Sequence, residues 1–168
     1  MEIAIASIAD IQELTRVEIE SKIQFFVVNE SHAIDYDSRL YRWQTYFNGQ
    51  SPATSKPERV VFKAVIDNRI IGYIAGHLTT RYNKDAEIQS FYMLKDEQRK
   101  GGGSKLLKHF SDWLISHQAH SLCVGFEPEN PYRAFYLKHG GQYLNPHWIY
   151  WDDVELLRTR ISKKSTEF

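Results

Sequence analysis

The sequence predicts a mixed α/β fold, one sheet flanked by helices, from three observations. Apolar residues recur at helical spacing before residue 48; strand patterning takes over after a turn-rich stretch, NGQSPATSKP, at 48–57; and consecutive glycines at 101–103 join a strand to an amphipathic helix. The chain has 168 residues, 42% of them hydrophobic, and reads as one domain over 1–168. A domain of that size hides roughly 68–70% of its extended surface on folding, so its core needs neither a disulfide nor a structural metal.

A short strand at 3–6 opens the order. Asp10 suits the N-cap of a first helix carrying Ile11, Leu14, Val17 and Ile19, and a second helix runs from about 37 to 47. Many aromatics fall here (Phe25, Phe26, Tyr36, Tyr41, Trp43, Tyr46, Phe47), as helix packing or as one wall of a pocket. Past the 48–57 linker, 60–66 and 69–78 around Asp67-Asn68 read as a hairpin, and 86–94 as the next strand. The helix after the glycines carries Leu106, Leu107, Phe110, Trp113 and Leu114 on one face. A strand at 122–126, a helix begun by Pro131 and ended by Gly140-Gly141, and strands at 142–144 and 148–151 complete the order β-α-α-β-β-β-α-β-α-β-β. Arg158, Arg160, Lys163 and Lys164 read as a solvated, frayed tail.

Composition excludes several function classes. Twenty-one Lys plus Arg balance 21 Asp plus Glu, without the basic excess that phosphate-backbone binding demands, so no nucleic-acid partner is expected. No apolar run approaches the ~20 residues needed to cross a bilayer, and the one cysteine, Cys123, cannot form an intrachain disulfide. We expect a cytoplasmic protein with no membrane partner. Cys123 sits in an apolar strand, a poor setting for an acyl-cysteine route. His117 and His120 end a helix without a matching carboxylate or thiol cluster, and no metal site is expected. Asp152, Asp153 and Glu155 suit the cap of a last short helix, and His77 a hydrogen-bonded sheet position.

Strand, glycines, helix is an arrangement for binding anions, because bare N–H groups at a helix N-terminus converge on a phosphate. It is not a nucleoside-triphosphate loop, since Gly103-Ser104-Lys105 lacks the earlier glycine, nor a dinucleotide fingerprint, since position 106 is leucine. The run Gln98-Arg99-Lys100-Gly101-Gly102-Gly103 instead resembles the Q/R-x-x-G-x-G/A loop of the GNAT N-acetyltransferase superfamily. Downstream, Asn130 and Ala134-Phe135-Tyr136-Leu137-Lys138-His139-Gly140 resemble that family's asparagine-led helix with its Y-x-K-x-G close. Three departures stand out: Asn130 is one residue nearer Tyr136 than is usual, Gly102 replaces a larger residue, and Gly141 an aromatic or apolar one. The extra glycines predict a looser loop and a less firmly packed last helix.

The resemblance implies a GNAT-like, mostly antiparallel sheet flanked by helices, with the acyl donor held at a splayed strand pair. It implies an N-acetyltransferase that uses acetyl-CoA as donor, needs no metal, and acetylates a primary amine of a small molecule or peptide within a ternary complex. A homodimer is compatible with the family. Loop amides of Gln98, Arg99, Lys100, Gly101, Gly102, Gly103 and Ser104 would bind the diphosphate; the edge Phe91, Tyr92, Met93 would pair with the pantetheine arm; Asn130 would bond that arm too. Phe91 N–H is the candidate oxyanion donor and Tyr136 the acid for the leaving thiolate. An amine of reference pKa about 10.4 must lose a proton before attack. Glu87, which strand alternation puts on one face with Gln89, Phe91 and Met93, is the first candidate base, with Glu127, Glu129 or a water relay as substitutes. The loops at 29–36 and 79–85 would choose the acceptor. The rival reading is a sensor that binds acyl-CoA without turning it over.

Overall fold

A computed structural model describes residues 1–25, 35–128, 130 and 132–164. Phe26, Glu129, Pro131, most of the 29–36 loop and the side chain of Phe25 lie outside the described residues. Seven strands, β1 (Glu2–Ile5), β2 (Ser55–Ile66), β3 (Arg69–Thr79), β4 (Ala86–Met93), β5 (Leu122–Gly125), β6 (Gln142–Asn145) and β7 (Trp148–Trp151), form one sheet in the order β1-β2-β3-β4-β5-β7-β6. Every pairing is antiparallel except β4 with β5. Helices α1 (Ile11–Phe25) and α2 (Tyr36–Phe47) precede β2, α3 (Gly102–Ser116) joins β4 to β5, α4 (Arg133–Lys138) joins β5 to β6, and α5 (Val154–Lys164) follows β7.

Local chemistry accounts for most boundaries and corrects two expectations. The cap before α1 is Ser7, not Asp10: Ser7 Oγ accepts from Ala9 N–H while Asp10 Oδ2 accepts from Ser7 N–H at 2.8 Å, a capping box on the 3₁₀ turn that leads into the helix. β2 starts at Ser55, inside the expected linker. Its first residues include Pro57 yet face no strand on one side, because β1 covers only Phe62 to Val65, so the missing N–H costs no ladder bond there. The hairpin turn is as expected: Asp67 and Asn68 both take left-handed φ, 48° and 61°, as a two-residue primed turn requires.

Two layers of helix cover the sheet. α1 and α2 pack on one face, where Tyr73 of β3 meets Trp43 of α2 with ring centroids 5.1 Å apart. α3 lies on the other face, burying Leu106, Leu107, Phe110 and Leu114. A side chain at Gly76 would strike the Phe110 ring and come within 2.8 Å of Glu87 O, so the bare backbone sets how closely α3 approaches. Gly141 acts likewise: a Cβ there would lie 2.6 Å from Ile149 and 2.9 Å from Trp151, and the junction is tightly packed rather than loosened by its glycine. Gly102, too, lies against Met93 rather than in a slack loop.

The tail holds the expected last helix and its Asp153 cap, but corrects the expected frayed end. Residues 154–164 form α5, capped by Asp153 Oδ1 accepting from Leu156 N–H at 2.8 Å, with Val154, Leu157 and Ile161 buried and Arg158 paired to Asp112 of α3 at 2.9 Å. The signal lay in the i, i+3, i+7 apolar spacing, which the basic residues between obscure. Ile161→Ala should cost about 2–4 kcal/mol in urea unfolding through the cavity it leaves; a change below about 0.5 kcal/mol, the usual size at solvated surface positions, would return this segment to a frayed end.

Candidate active site

The parallel pair β4–β5 holds together only over Ala86 to Ile88, opposite Leu122 to Val124. At that point the register of β4 against β3 passes from Gly76↔Ile88 to Ala75↔Ser90, leaving Gln89 as a bulge. β4 then continues to Met93 without β5 beside it, and the two strands part. Leu94 N–H donates to Ile71 O at 2.9 Å. Hydrogen-bonded pairs alternate along an antiparallel ladder, so Tyr92 exchanges bonds with Tyr73 while Phe91 and Met93 turn their N–H and C=O groups into the gap. Met93 O confirms that direction by accepting from Gln98 Nε2 at 2.9 Å and Ser21 Oγ at 3.3 Å. Of the expected edge, Phe91 and Met93 offer backbone and Tyr92 offers its ring.

The bulge also overturns the expected common face. Glu87 pairs with His77, and Tyr92 with Tyr73, on the side of α1 and α2. Phe91 instead packs on Phe135 of α4 at 5.5 Å and Met93 lies under Gly102 of α3. One inserted residue reverses side-chain alternation, so Glu87 and Phe91 project from opposite faces.

Between β4 and α3 the chain turns sharply. Arg99 takes φ 62° and Gly101, the residue capping α3, φ 84°. Nothing lies within 4 Å of the position a Cβ would occupy on Gly101, so that side of the loop is open. The first N–H groups of α3, a helix of 15 residues, have no intrahelical partner and face outward with the positive end of its dipole. Gln98 steadies the turn from below, its Nε2 bridging Met93 O and Tyr132 Oη at 2.7 Å. Lys100 pairs with Glu97 at 3.2 Å, and Ser104 Oγ lies 3.5 Å from His139 Nε2. This cradle fits a diphosphate: it offers open amides and a helix end, and the nearby Glu97 carboxylate is paired to Lys100.

Tyr136 projects from α4 beneath the gap, 6% exposed, with its ring 6.5 Å from Phe91 and 5.9 Å from Trp151. Its hydroxyl has no hydrogen-bond partner among the described residues, and burial pushes its pKa well above the phenol range, so it is a proton donor at neutral pH. Asn130 Oδ1 accepts from Tyr132 N–H at 2.8 Å and shapes the entry to α4. On the α1 side the gap widens into a cleft of about 530 Å³ walled by Ser21, Lys22, Tyr92, Phe126, Glu127 and Trp148.

Glu87 is 5% exposed and its neighbours converge on one oxygen. Oε2 accepts from Arg81 Nε at 2.9 Å and from Thr79 Oγ1 at 3.5 Å, and lies 3.5 Å from His77 Nε2, whereas Oε1 takes no hydrogen bond among the described residues. Burial alone would raise the Glu87 pKa; His77 and Arg81 beside it outweigh that and hold the carboxyl below its ordinary 4.5. His77, fully buried, reaches Tyr46 Oη through Nδ1 at 3.2 Å, while its Nε2 makes no hydrogen bond among the described residues and only approaches Glu87, so the expected hydrogen-bonded sheet histidine is bonded on one side of its ring. Arg81 also lies over the Trp148 ring at 5.1 Å, and Tyr82, at φ 51°, meets the same indole edge-on at 5.1 Å. Sequence reasoning missed Arg81, Tyr46 and Trp148; their partners are 6, 31 and 67 positions away, by the residue numbers, and no local motif links them.

The other candidates settle simply. Cys123 is buried, bonded to Ala86 O, and its thiol is pushed up to about 12 by burial, so it is no nucleophile. His117 Nδ1 lies 2.9 Å from Trp113 O at the end of α3, and His120 N–H donates to Asp85. Among the described residues no group of three His, Cys, Asp or Glu side chains could hold a metal, and no helix is long and apolar enough to cross a membrane.

Comparison with known proteins agrees with this geometry. The acetyltransferase (GNAT) family model matches residues 14–141, more than half of the chain. An uncharacterised N-acetyltransferase of Bacillus subtilis, YuaI, is 25% identical over 161 residues, spanning 94% of this chain and 87% of the relative. The PaiA N-acetyltransferase of Thermoplasma acidophilum, solved with coenzyme A, superposes with a TM-score of 0.68 at 19% identity, covering 89% of this chain and 98% of that one. A GNAT acetyltransferase of Brucella melitensis, solved with acetyl-CoA, gives 0.62 at 14% identity, covering 90% and 86%.

The buried carboxylate carries a pH signature. With a folded-state pKa below the unfolded value, the folded protein binds fewer protons near that value, so the stability from Glu87 is complete above about pH 4.5 and is lost as pH falls through the folded pKa. Glu87→Gln should therefore show a shallower fall in urea midpoint between about pH 5 and pH 3 than the wild type. Equal slopes would mean that the carboxylate is not held ionised.

Proposed function

The chain belongs to the GNAT family of acetyltransferases, and on that premise we propose that it moves an acetyl group from acetyl-CoA to a primary amine by direct attack within a ternary complex. One observation carries the reading. The bulge at Gln89 opens β4 just where a pantetheine arm would need a strand edge, and the same strand leads straight into the amide cradle at the start of α3. When bound, acetyl-CoA supplies the activated acetyl group as a thioester.

The chain's own residues divide the remaining work. Amides 101–104 grip the diphosphate, while Phe91 and Met93 hold the arm by backbone bonds that any side chain would permit. Phe91 N–H, turned into the gap, stabilises negative charge developing on the carbonyl oxygen. Tyr136 protonates the departing sulfur, a transfer from a phenol that burial keeps fully protonated. Asn130 shapes the mouth of α4 beside the arm.

Glu87 is too acidic to strip an ammonium group by itself. It serves as base through a water on Oε1, the oxygen left open by Arg81, Thr79 and His77, so that the water takes the ammonium proton. Glu127, on the cleft wall, is the second carboxylate within this site. A lone buried thiol suits the reducing cytoplasm.

The test is thiol release from acetyl-CoA across a panel of amines, with coenzyme A binding measured in parallel by calorimetry. Release above the amine-free rate is expected; binding without release would make the protein a sensor. Tyr136→Phe should lower kcat about 100-fold or more while leaving the coenzyme A dissociation constant within about threefold, as general-acid loss predicts. An unaltered kcat would remove Tyr136 from the chemistry.

A further inference from the structure

We propose that the acceptor carries an anionic group, a carboxylate or a phosphonate-like oxyanion, in addition to its amine, and that Lys22 receives that group on the α1 wall of the cleft. The proposal rests on the acetyltransferase reading above and concerns the substrate class of the same site. Lys22 lines the 530 Å³ cleft, with a side chain 21% exposed and its ammonium 5.6 Å from the ring centre of Tyr92 on the floor.

Among the described residues, charge around this lysine is unbalanced. Lys22 Nζ and Arg39 Nη1 share one oxygen, Glu18 Oε1, at 2.9 and 2.7 Å. Arg42 stands near enough on α2 to disfavour charge on Lys22, and no carboxylate among the described residues pairs with it. Two cations thus share one buried carboxylate beside the cleft, with Arg42 near by, and burial together with Arg39 and Arg42 works against the Lys22 ammonium, with Glu18 as its one support among the described residues. A second anion arriving from solvent would relieve that imbalance. A polyamine would bring more positive charge to the same wall. Across the cleft, Glu127 stands where it can face the ammonium end of a short zwitterionic acceptor. Trp148, braced by Arg81 and Tyr82, closes the opposite side as an apolar surface.

The shared chemistry, an oxyanion on a half-buried lysine, could equally be supplied by the donor's diphosphate, and kinetics separates the two. Thiol release would be followed for glycine against glycinamide, β-alanine against β-alaninamide and aminoethylphosphonate against ethanolamine, each per unprotonated amine, with putrescine and spermidine alongside. The anionic member should exceed its neutral partner about tenfold or more in kcat/KM, the scale of one charge-assisted hydrogen bond. Lys22→Met should bring that ratio close to one, with KM for acetyl-CoA shifted less than about threefold, and Lys22→Arg should keep most of the preference.

Preference for the polyamines, release from no anionic amine, or an unchanged ratio in Lys22→Met would each overturn the proposal. A rise in KM for acetyl-CoA alone would assign Lys22 to the donor and overturn it too. Calorimetry keeps the two levels apart: a chain that does not bind coenzyme A loses both readings, and one that binds it and favours spermidine loses only this one.

Discussion

The separation of β4 from β5 at Gln89 constrains everything else in this molecule. Up to Ile88 the two strands satisfy each other's backbone groups; beyond it the Phe91 N–H and C=O and the Met93 N–H need another partner or water, while Met93 O is taken by Gln98 and Ser21. Buried backbone polar groups are seldom left unpaired, so an open strand edge of this kind offers hydrogen-bonding groups to whatever enters the gap. The cradle at α3 follows from the same event, because β4 carries the chain directly from the open edge to the helix start. Gln98 then fixes the distance between the two by bonding Met93 O on one side and Tyr132 on the other.

Buried charge near the bulge serves positioning more than stability. A carboxylate taken out of water loses several kcal/mol of hydration, and its partners recover this only with good geometry. Arg81, Thr79 and His77 supply that geometry, and all of them approach Oε2. The arrangement keeps Glu87 ionised and its other oxygen unoccupied by protein donors. Arg81 extends the network to Trp148, so the carboxylate, the β3–β4 connection and the first residue of β7 are held as one unit. Its cost is a non-glycine residue, Tyr82, in left-handed backbone.

Glycines that look like slack in the sequence prove to be points of contact. Gly76 admits Phe110, Gly125 lies under the Trp148 ring with room for a Cβ only at 3.1 Å, and Gly141 lets Tyr136 O, Ile149 and Trp151 close over the end of α4. The last contact bears on the site, since Trp151 also meets Tyr136 edge-on and fixes its ring against the sheet. Gly101 works instead by conformation, holding a φ that a side chain would strain.

Element order, the hairpin turn, the apolar face of α3 and the glycine cradle were all legible in the chain, because each is encoded by neighbours a few positions apart: periodicity, turn residues and bare amides are local physics. Tyr136 and the Phe91–Met93 edge were legible through their motif and spacing. The α5 helix was partly legible, its apolar spacing masked by four basic residues. The bulge was not, and with it went the face of Glu87, since a single extra residue changes no composition and is decided by how β3 pairs with β4. Arg81 on Glu87, Tyr46 on His77 and the two cations on Glu18 are likewise products of register and helix docking. Sequence fixes what each segment can be; only the packed sheet decides which side chains share a face, because that depends on long-range pairing energies that no window of the chain contains.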